Sequence, residues 1–186
     1  MNKIIKISKV AKLLVLVAGI IQALIFSYFA MVNTTSASTH QSFGEKSVNL
    51  SAIHDKWLSY AQALEGIGIN SFWVLGPLDF IVQLVIFFFL FKLFSLYEKG
   101  IIFNVKNSQY LQLIGITMFS YGIAMIFLPS LVSRFINIFF NYPTLEINYY
   151  LGSNEISQLI WSSVILVISW VMKEASLMKE EQGLVI

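Results

Sequence analysis

Residues 13–32 read LLVLVAGIIQALIFSYFAMV, from Leu13 to Val32, without a charge and interrupted only by Gln22, Ser27 and small residues. A helix rising about 1.5 Å per residue over that stretch crosses a hydrocarbon core of roughly 30 Å. Lys3, Lys6, Lys9 and Lys12 precede it, an arrangement that can also open a secretory signal, and Ser36-Ala37-Ser38 has a distant likeness to a cleavage site. The apolar run exceeds the roughly 7–15 residues of a signal core, so the expectation is an uncleaved membrane anchor.

Working outward, three further apolar runs occupy residues 72–94, 110–132 and 156–172. The chain has 186 residues, 57% hydrophobic and 12% charged, about half the charge of a soluble domain and too little to solvate a globular surface. The expected fold is all-α: one integral membrane domain over 1–186, a four-helix bundle with both termini on the same side. Of the twelve basic residues, nine fall before the first run, at the end of the second or between it and the third, or after the fourth. Lys46, Lys56 and Arg134 fall on the other side. Basic residues mark the cytoplasmic face, so both termini, a hairpin at 95–109 and a tail at 173–186 are assigned there. Segments 33–71 and 133–155 become extracytoplasmic loops. Within the first, Trp57, Ala61 and Leu64 have helical spacing, which fits either a short helix lying on the membrane surface or a solvated loop with one anchoring Trp.

Asp79 is the one carboxylate inside an expected span, and burying a charge near the bilayer centre costs about 2.5–3.5 kcal/mol. Two readings stand side by side. In one, the helix starts near Phe72, Asp79 lies about 10 Å deep and pairs with Arg134, and Gln83 lines the same polar stripe one turn on. In the other, Gly76-Pro77 starts the helix, and Asp79 sits in a first turn where the helix dipole favours a negative charge. Lys92 lies close enough to the end of its span to reach the headgroups. Gly115, Gly122 and Pro129, and likewise Ser162, Ser169 and Ser176, recur every seven residues. Such stripes of small residues are expected to be packing seams rather than a substrate path.

Between the second and third runs, Lys99-Gly100 supplies a helix stop and Asn104 an N-cap, with Phe103 positioned to fold back as a hydrophobic staple. The stretch LYEKGIIFNVKN, from Leu96 to Asn107, followed by Leu111 and Ile114-Gly115, resembles the signature of a bacterial membrane family known as domain of unknown function 2975. The ending KEEQGLVI, from Lys179 to Ile186, is similar to that family's ending; Asn104 stands where Thr is usual, Gly183 where an acid is common and Val185 where Thr is common. The resemblance implies a small bacterial inner-membrane protein encoded beside a helix-turn-helix DNA-binding protein, hence a membrane partner for a cytoplasmic regulator. Tyr97, Gly100, Phe103, Asn104, Asn107, Glu180 and Glu181 are then the candidate interaction residues.

Catalytic chemistry is not expected. Cysteine is absent, and His40 and His54 stand in a loop without a metal-ligand pattern. Neither a phosphate-binding glycine loop nor a nucleophile elbow is present, so no enzyme activity, cofactor or metal is expected. Lysines that already fit the topology leave no separate nucleic-acid surface. The expected partners are the bilayer and a cytoplasmic regulator. The alternative is a small transporter or channel component using Asp79, in which a homo-oligomer would enclose the pore, since four spans without an inverted repeat offer little for alternating access.

Overall fold

The structure is a computed structural model, which describes residues 2–32, 36–39, 48–51, 57–140 and 151–183. His40, His54, Lys46 and Lys56 lie outside those residues, as does the end of the chain from Leu184 onward. The helices are α1 (Asn2–Val32), α2 (Leu58–Gly66), α3 (Ser71–Glu98), α4 (Val105–Phe140) and α5 (Ser153–Gly183). Between α1 and α2 lies one antiparallel pair, β1 (Ser36–Thr39) with β2 (Val48–Ser51), in which Ser36 faces Ser51 and Thr39 faces Val48. The sequence predicts a loop over that stretch, and the strand pair is a departure from it.

Helices α1, α3, α4 and α5 are each long and apolar enough to cross a membrane. Each contains its expected span and runs past it: α1 begins at Asn2 within the lysine-rich segment, α4 continues to Phe140, and α5 extends to Gly183. The last extension follows from the helix formers after Lys173. Leu13, Leu24, Trp161 and Val167 are all more than half exposed. Such apolar faces are disfavoured in water and suited to acyl chains. Hydroxyls inside the helices are satisfied locally: Ser27 donates to the Ala23 carbonyl, Ser95 to Phe91 and Thr117 to Leu113, at 2.7–2.8 Å. Lipid supplies no alternative partner, so this back-bonding is what admits Ser and Thr to a span.

The chain divides into two compact units. The first gathers Met1–Ile20, Val82–Met125 and Leu151–Ile186; the second gathers Ile21–Ile81 and Ile126–Tyr150. In the second, Phe26 of α1 stacks on Phe80 of α3 at 4.1 Å between centroids and meets Phe72 at 5.1 Å. The short α2 buries Trp57, Tyr60, Ala61, Ala63 and Leu64. Its apolar face is thus covered by protein, and Leu64 shares a groove of about 350 Å³ with Ile69, Val74 and Phe135. Trp57 is neither a lone anchor nor part of a helix presenting its apolar side to lipid. Residue Gly68, at φ +80°, ends α2, with the N–H of Ile69 reaching back to the Leu64 carbonyl.

In the first unit the serine stripe, Gly115 and Gly122 lie in a packing seam. Ser162, Ser169 and Ser176 are buried, and each donates to the carbonyl three residues earlier at 2.7–2.9 Å. Their hydroxyls are consumed by their own helix, so the stripe offers small volume rather than a polar path. Across from it, a methyl group on Gly115 would stand 2.8 Å from Leu166 Cγ, and one on Gly122 would stand 3.1 Å from Leu159 Cδ2. Close approach of α4 and α5 therefore requires glycine at Gly115, while at Gly122 the contact is with the mobile end of the Leu159 side chain. Gln158 adds a bond to the Met118 carbonyl at 3.3 Å. Glu155, seven residues before Ser162, is buried at the start of α5 and accepts from the Gly152 N–H at 3.0 Å, a capping-box bond.

Candidate functional site

The hairpin joining α3 to α4 is built from three local devices. Gly100 adopts φ +75°, a conformation that costs other L residues about 1–2 kcal/mol. That geometry lets the Gly100 N–H bond the Tyr97 carbonyl at 3.0 Å and the Ile101 N–H bond the Leu96 carbonyl at 3.1 Å, closing α3. Asn104 then caps α4, its side-chain oxygen accepting from the Lys106 N–H at 2.8 Å.

Asn107 supplies the third device, one that the sequence reading named only as a candidate contact. Fully buried, it donates from Nδ2 to the carbonyls of Ile101 and Ile102, at 2.7 and 2.6 Å. Two loop carbonyls that neither helix can satisfy are thereby bonded. Asn104 and Asn107 act on the loop itself, and neither projects as a contact surface.

Phe103 does the opposite of what the staple reading anticipated. It is 52% exposed, with Ile101 beside it at 39%. A staple joins the residue before the N-cap to the fourth helical position, which here is Ser108, buried and bonded to the Val105 carbonyl. A serine there gives the ring no apolar partner. The hairpin therefore holds an aromatic ring outward on a well-fixed backbone.

Tyr97 is half-buried, and its hydroxyl lies 3.9 Å from Met172 Sδ, so the end of α3 meets α5 where the tail begins. From there α5 continues as helix; Lys179, Glu180 and Glu181 are exposed on it, about 12 Å beyond Met172 in the case of Glu180. At the same end, Lys12 Nζ donates to Glu98 Oε2 at 2.9 Å and lies 5.1 Å from the centre of the Phe91 ring. That pair joins α1 to α3. The nine lysines assigned to the cytoplasmic face all belong to the first unit, whereas Arg134 belongs to the second.

Asp79, half-buried, stands eight residues into α3, since that helix starts at Ser71 and contains Pro77. The start at Gly76-Pro77 is thus overturned. Asn70 provides the true cap by accepting from the Phe72 N–H at 3.0 Å, and membrane helices tolerate an internal proline. Gln83 and Arg134 are both exposed, and among the described residues no ion pair joins Arg134 to Asp79. Lys92 lies back over Phe88, 5.4 Å from its ring centre.

Four membrane-length helices, two of them joined by this tight hairpin, define a multi-pass membrane protein. The chain belongs to the family described as Protein of unknown function (DUF2975), whose model matches residues 56–186 and so takes in α2 to α5, the hairpin and the tail. No curated protein and no solved structure matches the chain.

Proposed function

We propose that this is a bacterial inner-membrane protein with both termini in the cytoplasm, acting by binding another protein at the hairpin and tail rather than by catalysis. The observation that carries this reading is Phe103: a large ring half exposed on a loop whose backbone is bonded at both ends and from beneath. A pre-ordered loop loses little entropy on binding, and a projecting aromatic is the residue type that anchors interfaces. Segregation of the nine lysines supports the cytoplasmic assignment. The resemblance suggests a helix-turn-helix regulator as the partner, held at or released from the membrane.

A photocrosslinking residue at Phe103 should capture one cytoplasmic protein, and Phe103→Asp should abolish capture by a crosslinker at Ile101 while leaving thermal stability in detergent unchanged. Capture that persists in Phe103→Asp would remove the hairpin from the interface. For topology, a C-terminal green fluorescent protein fusion should be bright and an alkaline phosphatase fusion there inactive; the reverse pattern overturns the assignment.

The interior position of Asp79, about 12 Å along α3 from Ser71, supports a second reading as a transporter component. Flux in reconstituted vesicles that disappears in Asp79→Asn would replace the first reading with this one.

A further inference from the structure

The Lys12–Glu98 pair lies in the lining of a groove of about 270 Å³ between α1 and α3, together with Lys9, Leu13, Leu16 and Phe91. Its lining is sorted by chemistry. Leu13, Leu16 and Phe91 belong to the apolar runs, while Lys9, Lys12 and Glu98 stand at the level where those runs give way to charge. From Lys9 to Leu16 the groove follows α1 for about 10 Å, enough for a headgroup and the first methylenes of an acyl chain. Glu98 neutralises Lys12 and, together with the Phe91 ring, holds it in place. Lys9 is exposed and supplies the remaining single positive charge.

We propose that this groove binds one monoanionic phospholipid, its phosphodiester on Lys9 and Lys12 and one acyl chain along Leu13, Leu16 and Phe91. Charge complementarity selects the occupant. With Glu98 already paired, a phosphodiester carrying a neutral headgroup matches the net charge of the site, whereas a zwitterionic headgroup brings an ammonium towards Lys9. Basic residues at an anionic membrane face ordinarily act as a diffuse cloud. This site differs in having an apolar slot beside Lys9 and a Lys12 held by Glu98 and Phe91.

Native mass spectrometry of the full chain in detergent, titrated separately with dioleoyl phosphatidylglycerol, phosphatidylcholine and phosphatidylethanolamine, tests the site. Phosphatidylglycerol should be retained as a single adduct in preference to the other two. Lys9→Gln should weaken it about fivefold, the factor expected of one lysine beside an anionic headgroup. Leu16→Trp, which keeps every charge and fills the slot, should do the same or more. Lys3→Gln, two turns from Lys9 and outside the groove, should change retention less than twofold. Equal retention of phosphatidylcholine, preferred retention of phosphatidylethanolamine, or equal losses in Lys3→Gln and Lys9→Gln would each overturn the proposal. Lys9 is exposed and Leu16 is 44% exposed, and unchanged melting of both variants would show that any loss is one of binding.

Discussion

Asn107 Nδ2 donates to the carbonyl of Ile102 at 2.6 Å, tying the first turn of α4 to the loop that enters it. The same nitrogen serves Ile101, so one buried side chain replaces the hydrogen bonds that a chain reversal between two helices leaves unmade. Asn107→Ala should cost about 2–3 kcal/mol, because two loop carbonyls lose their donor. Faster hydrogen exchange over Gly100 to Asn104, with α5 unaffected, is the expected local signature. Asn107→Asp should be worse, since a carboxylate would face those same carbonyls.

Gly100→Ala should destabilise the protein by about 1–2 kcal/mol through backbone conformation alone, since a methyl group there meets nothing within 4 Å. Gly100→Asn should recover part of the loss, asparagine being the residue that best tolerates positive φ after glycine. Thermal unfolding in detergent would measure both, and a Gly100→Ala protein as stable as its parent would refute the capping account.

The two seam glycines should differ. At Gly115 an added methyl would lie 2.8 Å from Leu166 Cγ and 3.3 Å from the Leu166 backbone nitrogen, so α5 itself would have to move. Gly115→Ala should therefore cost about 1–3 kcal/mol. At Gly122 the nearest atom is the tip of Leu159, which can rotate away, and Gly122→Ala should be close to neutral. Combining Leu166→Ala with Gly115→Ala should regain stability relative to Leu166→Ala alone.

Lys12 and Glu98 keep about 30% of their side-chain surface exposed. Their double-mutant coupling, measured with Lys12→Met and Glu98→Gln, should amount to about 0.5–1 kcal/mol and shrink as salt is added.

The membrane-length helices were legible because an apolar run twenty residues long has few other stable states: in lipid the backbone must satisfy itself, and a helix does so within one segment. The caps at Asn104 and Gly100 were legible for a similar reason, each depending on residues only a few positions away. Burial of α2 was not. Trp57 and Leu64 carry the same helical spacing whether their face meets protein or lipid, and only the residues folded against them decide which. Asp79 was ambiguous because Gly76-Pro77 is a sound local signal for a helix start, and Asn70 is an equally sound one seven residues before Pro77.

Sequence by itself therefore determined the membrane-length helices, the stop at Gly100 and the charge asymmetry, all of which follow from short-range chemistry or from solubility in a bilayer. Tertiary structure decided which small residues form the α4–α5 seam, that Lys12 meets Glu98 across 86 residues, and that Phe103 stays outward because Ser108 offers it nothing to pack on. Those outcomes depend on which side chains arrive together in space, and a seven-residue spacing or a lone lysine is compatible with several such arrangements.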